Sequence, residues 1–362
     1  MMKKVKKLVY FLSFYSGTGY VIRLLYRSAL KNPVKILYAH RLVDEDDELF
    51  WLYRRLGYMT PAEFENKIRY LKKRYNVISL KECCRFLRSG DMPPNCAVLT
   101  FDDGYKCNRR TVFPVLVKYG VPATVFLSYN FIENRDIPWY DKVMFAIGKT
   151  RVKSFLMKDL GGERLSLETG EERVEALSEI NYLLKSLADD EKERVIAGIL
   201  RSLRIGAKKL DSAELMLTWE DVREMRDSGL VSFGSHTLSH PLLTRVSPDR
   251  AQDEINRSKQ LIEERLGETV EFFSYPCGRQ NKLLKSFVRE ARYNCALTTK
   301  NGGNTLSTDL FELRRDGFIS SPMYMFGLKM AGFFEICGAL RHADGERVNQ
   351  VEEVPEIVLG GG

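Results

Sequence analysis

A chain of 362 residues with 44% hydrophobic and 29% charged side chains is long and apolar enough for one large domain or two small ones, and its composition excludes disorder as the ground state. The net charge of +8 gives no reason to expect a nucleic-acid partner: residues 1–43 hold nine basic residues and no acidic one, leaving 47 basic against 48 acidic for the rest. Seven cysteines without a C-x-x-C pair exclude a zinc ribbon or a dithiol redox motif, and free thiols favour a reducing, cytoplasmic compartment.

Residues 1–32 form a basic, aromatic arm. Its uncharged run, Leu8 to Ile22, is 15 residues long, short of the ~20 that a spanning helix needs. Lys3, Lys4, Lys6 and Lys7 followed by Tyr10, Phe11, Phe14 and Tyr15 suit a segment lying on an anionic membrane surface, such as the inner face of a cell membrane. Two other readings stay open: a helix docked on the domain, and an export signal, the latter without a convincing small-x-small cleavage site.

The main domain is expected over 33–343. Val34 to Tyr38 reads as its first strand, and Thr60-Pro61-Ala62-Glu63 as a capping box opening a helix. Strands follow at 76–80, 97–101 and 123–127, with helices between them, and this cadence predicts a mostly parallel α/β sheet or barrel. Residues from about 145 to 213 break it; they read as a helical insertion on the outside, without chemistry of its own. Alternation resumes with strands at 231–234, 270–275 and 294–299, a long helix from Pro248 to Leu266 stopped by Gly267, and an extended piece at 310–319. The tail, 344–362, is expected to be mobile.

Two stretches carry the chemistry. Ala97 to Phe101 is an apolar run that ends on Asp102-Asp103-Gly104-Tyr105. Adjacent carboxylates at a strand end repel unless a cation lies beside them. The second is Gly234-Ser235-His236-Thr237-Leu238-Ser239-His240, which holds two of the chain's four histidines at a spacing that lets both rings reach one ion. One Asp and two His leave coordination positions open for water or substrate, as catalytic zinc sites require.

With those motifs and Ser274-Tyr275-Pro276-Cys277-Gly278, flanked by Pro122 to Phe126 and Leu217-Thr218-Trp219, the chain resembles the polysaccharide deacetylase family, the carbohydrate esterases with a NodB-like domain. The resemblance spans roughly 34–140 and 213–320. It implies a distorted (β/α)7-type barrel and deacetylation of sugars dependent on a divalent metal, most readily Zn2+. By motif position, Asp103, His236 and His240 would be the metal ligands, and Asp102 the base that takes a proton from the attacking water. The backbone N–H of Cys277 would be a donor to the oxyanion. The family's third motif often begins with an Arg that orients the base; here Ser274 stands there, and Arg315 is the candidate replacement. The usual late Leu-x-x-His acid is absent, so His40, at the end of a strand like one found in a branch of the family, is the candidate general acid. Tyr105, Tyr275 and Trp139 are the aromatic candidates for contact with a sugar ring, although Trp139 and Tyr140 suit the core as well.

The expected substrate is an N-acetylated glycan of a surface polysaccharide or its lipid-linked precursor. Two alternatives remain: a deformylase or deacylase of a nucleotide- or lipid-linked amino sugar, and a non-catalytic carbohydrate-binding protein of this fold.

Overall fold

The computed structural model describes residues 10–12, 14–30, 32–157, 162–206 and 212–337. The tail expected to be mobile and the lysines at positions 3–7 lie outside these residues. The architecture is a curled parallel sheet wrapped by helices, an α/β barrel of the (β/α)7 type. Its strands are β1 (Lys35–Ala39), β2 (Asn76–Val77), β3 (Cys96–Phe101) and β4 (Ala123–Leu127), then, beyond a separate hairpin of β5 (Ser154–Met157) and β6 (Glu163–Ser166), β7 (Val231–Ser235), β8 (Phe272–Ser274), β9 (Cys295–Leu297) and β10 (Asp316–Gly317).

The sheet runs β10-β1-β3-β4-β7-β8-β9, with β2 paired to the start of β3. Every pairing in it is parallel. The two ends of the sheet meet through the segment before β10. Leu313 bridges to Leu297 of β9, and Asp316 pairs with Leu37 of β1. That short extended piece closes the barrel.

The strands are apolar runs because both their faces are covered. Along β1, β3, β4 and β8, Ile36, Val98, Phe126 and Phe272 alternate with Leu37, Leu99, Val125 and Phe273, and the two sets belong to separate apolar clusters. The first cluster includes Leu80, Cys83, Cys84 and Leu87 of the helix Leu80–Ser89. The second packs against Phe64, Ile68 and Leu71 of the helix Pro61–Arg74, which begins in the expected Thr60–Glu63 capping box. Gly234 of β7 is required by this packing: a Cβ there would lie 2.6 Å from the Phe126 ring. Period-2 alternation carries the inward set on to Thr100 and Asp102 from β3 and to His236 from β7. The catalytic candidates thus leave the strands at one end of the barrel.

One expectation is corrected. The segment at 145–213 is not wholly helical, since β5 and β6 pair antiparallel before the helices Gly170–Leu184 and Asp189–Ser202. It packs outside the sheet, in an apolar cluster separate from the two on the faces of the strands. Leu177, Ile180, Leu184 and Ile196 share an apolar cluster with Tyr105, Trp139 and Tyr140, and the buried Lys192 sets its Nζ 5.5 Å from the Trp139 ring. The insertion therefore packs behind the site.

Candidate active site

Parallel pairing sends every strand of the sheet out at the same end of the barrel. Ala39 pairs with Phe101, Phe101 with Val125, and Leu127 with Ser235, so His40, Asp102 and His236 all leave their strands at the same end of the barrel, with His236 two residues further along than Asp102. The turn after β3 is tight: the Asp102 amide donates to the Ala39 carbonyl at 2.9 Å, and Asp103 takes φ 74°. That left-handed conformation is costly for a non-glycine residue and is held here by the surrounding core. Thr237 (φ 71°) and His240 (φ 59°) are similarly bent, so a three-residue gap brings the second ring back over the first.

Asp103, His236 and His240 are buried, and their ligand atoms all lie within 4.8 Å of one another. Nε2 of each ring is 3.6 Å from Oδ1 of Asp103. The Nδ1–H of His236 faces the Ser274 carbonyl at 2.7 Å, which leaves the Nε2 lone pair directed at Asp103. The other oxygen of Asp103 accepts a hydrogen bond from the Tyr140 hydroxyl at 2.7 Å. Oδ1 of Asp103 and Nε2 of both histidines have no hydrogen-bond partner. Three converging, buried acceptor atoms without donors suit a cation. Burial lowers His236 to about 4 and His240 well below its usual range, so both rings are neutral, as ligands must be. Burial, with Asp102 next door, raises the Asp103 carboxyl well above its usual range, which a cation would reverse.

Asp102 is in the opposite state. Burial would raise its carboxyl, but the Arg315 guanidinium outweighs this and, with His236 and His40, holds it well below the usual carboxylate range. Arg315 is fully buried and bidentate: Nη1 and Nη2 reach the two Asp102 oxygens at 2.8 Å each. Its remaining donors go to the Thr298 carbonyl (2.9 Å), the Thr100 hydroxyl (3.2 Å) and the Ser274 hydroxyl (2.9 Å). The structure thus puts Arg315 on the base candidate, with Ser274 as one of its anchors.

His40 is buried at the end of β1, and its charge bears on Asp102, His236 and His240. The Asn108 amide donates to its carbonyl at 3.2 Å. Cys277 takes φ 54° in the turn after β8, and a Cβ on the next residue, Gly278, would lie 2.4 Å from the Thr299 nitrogen. Only glycine fits there.

The three aromatic candidates for sugar contact are buried, as the metal and base candidates are. Tyr275 is fully buried, its ring 5.2 Å from that of Phe273 and its hydroxyl on the Phe311 carbonyl. Tyr105 is buried too and donates to Asp141 at 2.7 Å, while Trp139 is 8% exposed beneath Lys192. Each ring packs against protein neighbours and none is laid open to solvent. Asp141 is raised to about 6 by burial, a rise that Arg41 and Tyr105 partly oppose.

Sequence reasoning misses two supports. Tyr140 suits a platform or the core by its sequence, and it is the partner of Asp103. Glu254, in the helix Pro248–Leu266, accepts from the Leu238 and Ser239 amides at 2.8 and 3.0 Å and from the Ser239 hydroxyl at 2.5 Å, clamping the loop between the histidines. Nothing in the local sequence marks Glu254, because its role depends on a contact between separate elements.

Residues 89–296 match the family model described as polysaccharide deacetylase. The chain belongs to this family. A Bacillus subtilis (strain 168) protein assigned by name to the polysaccharide deacetylases, YxkH, is 24% identical over 255 residues, covering 70% of this chain and 63% of its own length. A poly-beta-1,6-N-acetyl-D-glucosamine N-deacetylase of Staphylococcus epidermidis is 36% identical over 75 residues, 20% of this deacetylase-family chain and 26% of that protein. The chain thus spans less than two thirds of these relatives. Among solved structures, the Streptococcus pyogenes deacetylase PplD in complex with acetate aligns with TM-score 0.56 and 20% identity, over 82% of this chain and 98% of that one. IcaB from Ammonifex degensii aligns with TM-score 0.53 and 17% identity, over 83% and 97%. These two likenesses establish the shared fold of the polysaccharide deacetylases.

Proposed function

We propose that this chain is a hydrolase that removes acetyl groups from N-acetylated sugars of a surface polysaccharide or its precursor. The observation that carries the reading is the pairing of two unlike carboxylates: Asp103 faces two neutral histidines, and Asp102 is kept ionised by Arg315. Asp103 Oδ1, His236 Nε2 and His240 Nε2 would hold a divalent ion, and one carboxylate with two imidazoles suits Zn2+. When bound, that ion polarises the acetyl carbonyl and makes water a better nucleophile at neutral pH.

The remaining steps belong to side chains. Each Asp102 oxygen spends one lone pair on Arg315 and keeps another, so the carboxylate can still accept the proton of the attacking water. Arg315 fixes its plane. The Cys277 amide, on its left-handed turn, is the candidate donor to the oxyanion of the tetrahedral intermediate. His40, on the same rim, is the candidate acid that returns a proton to the leaving amine.

The match to a poly-N-acetylglucosamine deacetylase supports an amide-linked acetyl as the target. Cys83, Cys84, Cys96 and Cys295 are buried free thiols, which supports a cytoplasmic setting. The test is acetate release from a panel of N-acetylglucosamine oligomers by the zinc-loaded protein. Turnover that Asp102→Asn abolishes while zinc stays bound is expected. Formate release from N-formyl sugars with no acetate released would move the reading to a deformylase, and sugar binding without hydrolysis would make the chain a lectin-like relative.

A further inference from the structure

We propose that the N-terminal helix seats this protein on a membrane surface rich in anionic lipid, with its apolar side outward. A surface helix of a soluble domain turns its apolar stripe to the core. The helix Thr18–Ala29 does the reverse on one side. Tyr20, Val21, Leu24 and Leu25, which share a face by their spacing, are 43–58% exposed, whereas Tyr26 is buried. Phe11, Leu12 and Tyr15 before the helix and Leu30 after it are exposed as well. Eight of the 14 exposed large hydrophobic residues among those described lie between positions 11 and 30. A concentration of this kind marks an interaction surface rather than scattered exposure.

The inner side docks on the domain. Tyr26 lies under Gly332, with Lys35 Nζ 5.1 Å from its ring, and Phe14 lies against Gly327 of the helix Met323–Met330. The outer side therefore has a fixed frame behind it. Charge selects the occupant. The same stretch of chain, residues 1–43, contains Lys3, Lys4, Lys6, Lys7, Arg23, Arg27 and Lys31 and no Asp or Glu. A second copy docked by the same face would bring two such basic sets together, whereas anionic headgroups neutralise them. Among the described residues no helix is long and apolar enough to cross a membrane, so the segment would lie in the interface. Tyr26 contacts β1 at its first residue, Lys35, and His40 follows its last, so docking leaves the rim of the site uncovered.

Cosedimentation of the full chain with two kinds of vesicle tests this: phosphatidylcholine alone, and equal parts of phosphatidylcholine and phosphatidylglycerol. The expected result is at least about tenfold tighter binding to the anionic vesicles, weakening as salt rises. Leu24→Glu with Leu25→Glu should abolish that binding and leave thermal unfolding and acetate release from soluble oligomers unchanged. Leu24→Ser with Leu25→Ser, which adds no charge, should weaken it about tenfold. Equal binding by wild type and variants, or no binding to anionic vesicles, would overturn the proposal. So would light scattering that shows a dimer dissolved by the same substitutions.

Discussion

Arg315 and Asp102 stand 213 residues apart in the chain and meet inside the barrel as a two-point pair, each nitrogen 2.8 Å from its oxygen. The pair ties the strand end that carries Asp102 to the segment that closes the barrel, so the site is assembled only when closure is complete. Arg315→Lys keeps a charge but loses the fork and the bond to Thr298. In the folded protein Asp102 lies below its unfolded value, so the pair stabilises at pH above the ordinary carboxylate range and is lost as pH falls through the depressed value. The variant should raise the acid limb of the kcat/KM profile and lower kcat about 10²-fold or more. Arg315→Ala, which leaves a buried carboxylate unpaired, should cost about 3–5 kcal/mol in denaturant unfolding.

Glu254 supplies no ligand atom and no proton to the proposed reaction, yet its carboxylate takes three hydrogen bonds from the loop between the histidines. Glu254→Gln replaces one acceptor oxygen with a donor. Zinc affinity measured by competition with a chelating dye should fall about 10–100-fold. At saturating zinc, kcat should recover most of its value, since the chemistry uses other groups.

Removing the metal should be visible in stability as well as activity. An ion that binds only the folded chain adds about 2.7 kcal/mol at one hundred times its dissociation constant. Zinc should therefore raise the Tm of chelator-treated protein by several degrees, and Asp103→Asn or His240→Ala should cancel most of that response.

Lys67 supplies a pH dependence remote from the site. It is buried, and its ammonium is lowered to about 8, by burial above all, despite bonds to the Ile319 carbonyl and, at 3.1 Å, to the Ser321 hydroxyl. Between the folded value and about 10.4 the unfolded chain holds the extra proton, so stability rises with pH across that window and the penalty is complete below it. Denaturant midpoints from pH 7 to 10 should climb for the wild type relative to Lys67→Met. The difference should reach at most about 3 kcal/mol.

Much of this architecture is legible in the sequence because buried parallel strands read as short apolar runs and helix ends as caps. The Thr60 capping box and the helix Pro248–Leu266 stopped by Gly267 fall where those signals put them. Both histidines and both aspartates are legible because each pair sits at a strand end. Arg315 is legible only because Ser274 stands where an Arg is common. The hairpin of β5 and β6 is hidden among charges, as its pattern has only Phe155, Met157 and Leu165 buried. The burial of Tyr275 is not legible, because an aromatic residue beside a motif reads alike whether it faces substrate or core. Glu254 and Tyr140 are invisible in their roles, since each acts across a contact with no fixed spacing in the chain.

The central claim is that Asp103, His236 and His240 grip one divalent ion. Anomalous diffraction at the zinc edge from zinc-soaked crystals tests it directly. The account predicts a single strong peak about 2.0–2.2 Å from Asp103 Oδ1 and from Nε2 of both histidines, with Asp102 still paired to Arg315. A peak on Asp102 instead, or none within the triad at saturating zinc, would contradict it.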